Sequence, residues 1–142
     1  MKTLLVLAAA ASVLMLAPPR ESFAQGAAAE AYGGRYNAQT VWTVSGEVIS
    51  IDKTVYGRRG YPGIHLMLKT AKGVLSVHLG PSWFVERQAM KVAPRDLIEV
   101  TGSPVIYEGK PALLAAEVRK GGESMRLREA DGLPLWRASA MR

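Results

Sequence analysis

The stretch from Gly63 to Phe84, GIHLMLKTAKGVLSVHLGPSWF, leaves the chain little conformational choice. Ile64, Leu66 and Leu68 alternate with His65, Met67 and Lys69. After a turn at Ala71-Lys72-Gly73, Leu75, Val77 and Leu79 alternate with Val74, Ser76 and His78. Alternation on both sides of a short polar turn predicts a β-hairpin with one buried face. A one-residue slip would send one strand's apolar set into water, so the pattern also predicts the register. It places Leu68 opposite Leu75, Leu66 opposite Val77 and Ile64 opposite Leu79. The same register sets His65 across from His78, the chain's only two histidines, with Met67 beside them on that face. A bulge at Gly73 after a three-residue turn would shift the pairing by one.

The start of the chain reads as an address. Lys2 is followed by an apolar run from Leu4 to Ala17, and Ser22-Phe23-Ala24 offers small residues for cleavage after Ala24. This is the pattern of a secretory signal peptide over residues 1–24, too short and Ala-rich for a membrane span. No span is expected once it is removed, and the expected location is periplasmic or secreted. The 142 residues carry a formal charge of +6 and no cysteine. An exported chain of this kind has neither disulfides nor thiolate metal ligands, so its core must hold it together alone.

Residues 25–39 are Ala/Gly-rich without an apolar period and read as a flexible leader, in which Tyr32 and Tyr36 stand isolated. Val41 to Ile51 is a strand interrupted by Gly46, where a bulge or bend is expected. A polar loop over Asp52 to Pro62 leads into the hairpin. Gly80-Pro81 ends the third strand, and Ser82 is placed to cap a two-turn helix from Trp83 to Met90 that would plug a barrel end. Leu97 to Gly102 reads as a fourth strand, Ser103 to Pro111 as a loop or hairpin tip around Glu108-Gly109, and Ala112 to Arg119 as a fifth strand. Met125 to Arg128 is a further short strand, and Trp136 near the end is expected to dock on the body. Five strands with one short helix between the third and fourth predict an all-β, OB-fold-like Greek-key barrel over residues 40–120, with a C-terminal extension, 121–142, packed on it.

The cadence of Ser45-Gly46-Glu47-Val48, Gly73-Val74-Leu75-Ser76-Val77, Trp83, Asp96 to Gly102 and Ala116-Glu117-Val118 resembles the bacterial OB-fold (BOF) proteins, small exported periplasmic barrels. The likeness spans roughly residues 44 to 120. The two histidines, the His78-Leu79-Gly80-Pro81 junction and the tail after Gly121 depart from that cadence, which leaves room for a separate group of exported OB-like proteins. The resemblance implies a periplasmic, non-enzymatic binding module for a small ligand or a protein partner.

Two groups of residues carry candidate chemistry. Facing imidazoles at His65 and His78, with the Met67 thioether, are the donors that a copper or zinc ion would take; otherwise no cofactor is expected. Tyr56, Arg58, Arg59 and Tyr61 between the first two strands, with Tyr107 and Lys110 between the fourth and fifth, interleave aromatic and basic side chains. OB barrels border their ligand face with these two loops. Such side chains suit a small ligand and, as an alternative, a single-stranded nucleic acid or another polyanion. Catalysis finds no support: Ser76, Ser82 and Ser103 lack a nucleophile-elbow context, and Glu86 and Glu99 lie on different elements.

Overall fold

A computed structural model describes residues 36–55 and 62–139. The strands are β1 (Trp42–Val55), β2 (Pro62–Thr70), β3 (Gly73–Pro81), β4 (Leu97–Tyr107), β5 (Lys110–Lys120) and β6 (Glu123–Arg126). Two short helices, α1 (Ser82–Val85) and α2 (Leu135–Ser139), follow β3 and end the described chain. Neighbouring strands run β3-β2-β1-β4-β5-β6, and β3 also pairs with β5. That last pairing closes β1-β2-β3-β5-β4 into the expected all-β, OB-like ring. The expected signal segment, the expected leader up to residue 35, residues 56–61 and residues 140–142 lie outside the described residues.

The hairpin forms as its alternation dictates. His65 pairs with His78, Leu66 with Val77 and Leu68 with Leu75. The turn is the one this register requires, with Thr70 opposite Gly73, Ala71-Lys72 between them and no bulge at Gly73. Thr70 Oγ1 donates to the Gly73 carbonyl at 2.7 Å and accepts from the Lys72 N–H at 3.2 Å. At the other end the expected pairing fails by one residue, because a bulge sets Ile64 opposite Gly80 instead of Leu79. Gly80, at φ 143°, takes a backbone conformation open to glycine, and Trp136 lies where its side chain would be.

Apolar residues from each of the ring strands meet inside. Leu66, Leu68, Leu75, Val77, Val100, Leu113 and Val118 are fully or almost fully buried there, with Leu127 from the tail. β1 serves both sides of this core: Trp42 to Glu47 pair with β4, and Gly46 to Val55 pair with β2. The bulge of β1 falls between Val48 and Ser50, while Gly46, where a bulge or bend is expected, lies where the strand passes from β4 to β2. Gly46 marks a close approach, since a Cβ there would sit 2.3 Å from the Lys69 carbonyl oxygen.

Three elements differ from the sequence expectation for identifiable reasons. α1 is one turn and not two, and Ser82 is its first residue rather than its cap. The Gln88 side-chain amide takes the Phe84 carbonyl, the acceptor that a further helical turn would need, and the Gln88 N–H turns to Val85. β4 and β5 run on through Ser103 to Pro111, because Glu108 and Gly109 both adopt positive φ, 49° and 74°. That two-residue turn matches strand twist and lets the ladder continue to Tyr107↔Lys110. Tyr36, which has no periodicity to place it, is docked: it packs beside Val105, Ala112 and Leu114.

The tail closes the gap where β3 and β5 diverge. β6 pairs with β5, the Leu127 N–H donates to the Ala116 carbonyl, and Trp136 lies against Gly80 and Phe84. Arg128 links both ends of the described chain, its guanidinium 5.4 Å from the Tyr36 ring and 4.9 Å from the Trp136 ring.

At the β4 bulge, a Cβ on Gly102 would stand 2.2 Å from the Leu114 carbonyl oxygen, which belongs to backbone and cannot swing away. Gly102→Ala is therefore expected to lower stability by roughly 2–4 kcal/mol. Gly73→Ala meets nothing within 4 Å and carries only the strain of its positive φ, roughly 1–3 kcal/mol, so it should fall at or below the cost of Gly102→Ala. Urea unfolding of the two variants side by side checks the ranking.

Candidate functional site

Leu66 and Val77 point into the core, so His65 and His78, one residue away on each strand, stand on the outside of the barrel. There the two imidazoles stack, with ring centroids 3.7 Å apart and planes 14° from parallel. Tyr107, at the end of β4, presents itself nearly perpendicular to both rings, 4.7 Å from His78 and 5.9 Å from His65. The β3–β5 pairing brings this about, because His78 lies beside Leu114 and β5 turns back from Tyr107. The stack therefore adjoins the small outer cluster of Val105, Ala112 and Leu114 with Tyr36 and Tyr107.

Both imidazoles are held neutral. Burial pushes His78 down to about 4, helped by the neighbouring His65. Burial also holds His65 below the ordinary histidine range, while the carboxylates of Asp52 and Glu108 act in the opposite direction. The Nε2 atom of His78 is buried and finds no hydrogen-bond partner among the described residues.

A pair stacked in this way does not converge on one point. Ring nitrogens offer their lone pairs in the ring plane, and these planes run side by side. An ion about 2 Å from a nitrogen of each ring would lie far out of both planes. Met67 is half-buried one pair along, opposite Ser76. No group of three or more His, Asp or Glu side chains placed to hold a metal occurs among the described residues.

Of the loop candidates, Tyr56, Arg58, Arg59 and Tyr61 lie outside the described residues. Tyr107 belongs to the histidine cluster, and Lys110 is exposed across the turn from it. Asp52 and Glu108 were not expected at this site. Asp52 begins the expected polar loop, but β1 runs on to Val55 and pairs Asp52 with His65. Continuing the first strand's pairing past Ile51 is the signal that would have found it. A concavity lies elsewhere, over Ser45, Glu47, Lys69, Leu97, Glu99 and Arg119, where charges of both signs surround an exposed leucine.

The sequence pattern of the MamS/MamX magnetosome protein family matches residues 40–125, and the chain belongs to that family. The match covers the closed barrel and reaches into β6. The family found is thus not the one whose cadence the strands resemble. No curated protein matches the chain.

The neutral stack makes stability depend on pH. The unfolded chain takes up a proton on His78 near the ordinary pKa of about 6.5, and the folded chain only near 4. The stabilisation is complete above about pH 6.5 and is lost as pH falls toward 4. Discounted for the part of the ring that solvent reaches, the loss is on the order of 2 kcal/mol. Chemical unfolding at pH 7.5 and 4.5 should show this fall, and His78→Phe should reduce it.

Proposed function

We propose, taking membership of the MamS/MamX magnetosome protein family as the premise, that this chain is an exported, non-enzymatic binding module whose ligand face is the outer surface of β2 and β3. The observation that carries the reading is the place of the His65–His78–Tyr107 cluster. It sits on the strands, and beside the β4–β5 turn, where OB-type barrels receive their ligands. Three aromatic rings held together at a surface supply a rigid, amphipathic contact of the kind that anchors recognition.

The ligand that suits this face is a protein partner or a small molecule with an apolar, flat part. Edge-on rings and the Met67 side chain contribute dispersion, while Glu108 and Lys110 at the adjoining turn offer charges of both signs at the rim. The signal-like segment over residues 1–24 supports the periplasm as the place of action. Among the described residues no helix is long and apolar enough to cross a membrane. A magnetosome-associated partner follows as the first class to test, from the family's description.

A photo-crosslinking amino acid placed at Met67 tests the face, with the same residue placed at Glu99 on the β1–β4 outer surface as the control. Expression in cells that carry the protein's own surroundings should give discrete crosslinked species from position 67 and not from 99. Equal labelling at both positions, or none at 67, would sink the assignment. Intact-mass measurement of the exported protein checks cleavage after Ala24 in the same preparation.

A further inference from the structure

The barrel is closed by an unusually short seam. β3 and β5 run parallel and share three residue pairs, Ser76↔Ala112, Val77↔Leu113 and His78↔Leu114. By contrast, the β4–β5 ladder runs from Glu99↔Arg119 to Tyr107↔Lys110, and β1–β2 from Gly46↔Thr70 to Val55↔Pro62. Parallel pairs are also somewhat weaker per residue than antiparallel ones. His78 forms one of the three seam pairs and is at the same time half of the histidine stack. Tyr107, at the tip of the β4–β5 hairpin, rests on that stack.

We propose that the His65–His78 stack is a proton-operated latch on this seam: charging the pair parts β3 from β5 locally and releases the Tyr107 hairpin, while the rest of the barrel stays folded. Two imidazolium rings cannot keep a 3.7 Å stack, because like charges at that distance repel strongly even at the effective dielectric of a protein surface. The order of events follows from the groups that face each ring. Asp52 from β1 and Glu108 from the β4–β5 turn act on His65, and both favour its charged form. The first proton therefore goes to His65. Among the described residues the titratable neighbour that shifts His78 is His65 itself, so the second proton meets a charge with none of their carboxylates acting against it. On β5 the seam residues Ala112, Leu113 and Leu114 carry no charge, and Lys110 lies at the start of that strand. None of these seam residues offsets a cation at His78, and the one carboxylate of β5, Glu117, is paired with Arg119.

The latch concerns the barrel alone and holds or fails whatever the ligand of the outer face is. Amide hydrogen exchange of the ligand-free protein between pH 7 and 4.5, corrected for intrinsic rates, tests it. Protection over residues 76–78 and 112–114 should drop about tenfold or more, while residues 42–47 and their β4 partners hold theirs. The double variant His65→Phe/His78→Phe keeps two stacked rings without a proton site and should show no such drop. Asp52→Asn removes a group that favours the first proton and should move the opening to lower pH. The latch is overturned if seam protection in the wild-type protein does not change with pH, if it falls equally throughout the barrel, or if the double variant behaves like wild type. Should the double variant fail to fold, ring resonances of the wild-type protein decide: two separated titration steps are expected, and a single step at the ordinary histidine pKa refutes the latch.

Discussion

Everything in this barrel depends on one parallel contact between strands that are distant in sequence. β2 and β3 find each other through a two-residue turn, and β4 and β5 do the same, so both hairpins are local structures. β1 joins them by lending its first half to β4 and its second half to β2. That arrangement is a curved open sheet until β3 meets β5. Three residue pairs then make a closed surface, with Val77 and Leu113 paired at the middle of the join and both fully buried. Closure removes two strand edges and encloses the core.

The same join brings chemistry together. With β3 beside β5, Tyr107 from the far hairpin arrives over two histidines of the near one. A half-buried imidazole pair is then no property of the β2–β3 hairpin alone, since part of its cover comes from β4 and β5. Packing, neutrality and site are consequences of one closure. The family match over residues 40–125 spans the elements that the closure requires and stops short of α2.

The parts of this structure that were legible in the sequence are those with a repeating signal. Leu66 and Leu68 keep one parity along β2, and Leu75 and Val77 keep one along β3, so the hairpin and its histidine pair follow from the alternation. Ile98 and Val100 did the same for β4. Where one residue breaks the parity the reading failed by one, as at the bulge beside Ile64. The stretch from Ser103 to Pro111 reads as a loop or hairpin tip, and strand runs through all of it but the two-residue turn. A proline inside a strand argues for a loop, but Pro104 is fully buried in a segment just past the Thr101/Gly102 bulge and pairs with Leu113. Tyr36 and Arg128 were illegible because no local pattern connects residues so far apart. The contribution of Tyr107 to the histidine cluster had the same cause, since only the β3–β5 contact reveals it.

The sandwich of Arg128 between Tyr36 and Trp136 also has a meaning in time. A polypeptide emerges from its N-terminus, so Tyr36 is present long before either group that holds it. When the two hairpins are complete, the segment before β1 still has neither its cation nor the indole behind it. The Asn37 N–H can already reach the Ser103 hydroxyl, 2.9 Å away in the finished fold, because that residue arrives with β4. The aromatic grip must wait for residues 128 and 136. The last fastening of the first described residues thus comes late: a chain interrupted before Arg128 presents a barrel whose entering segment is held by the Ser103 hydroxyl and by Tyr36 on Val105, Ala112 and Leu114, without the guanidinium or the indole.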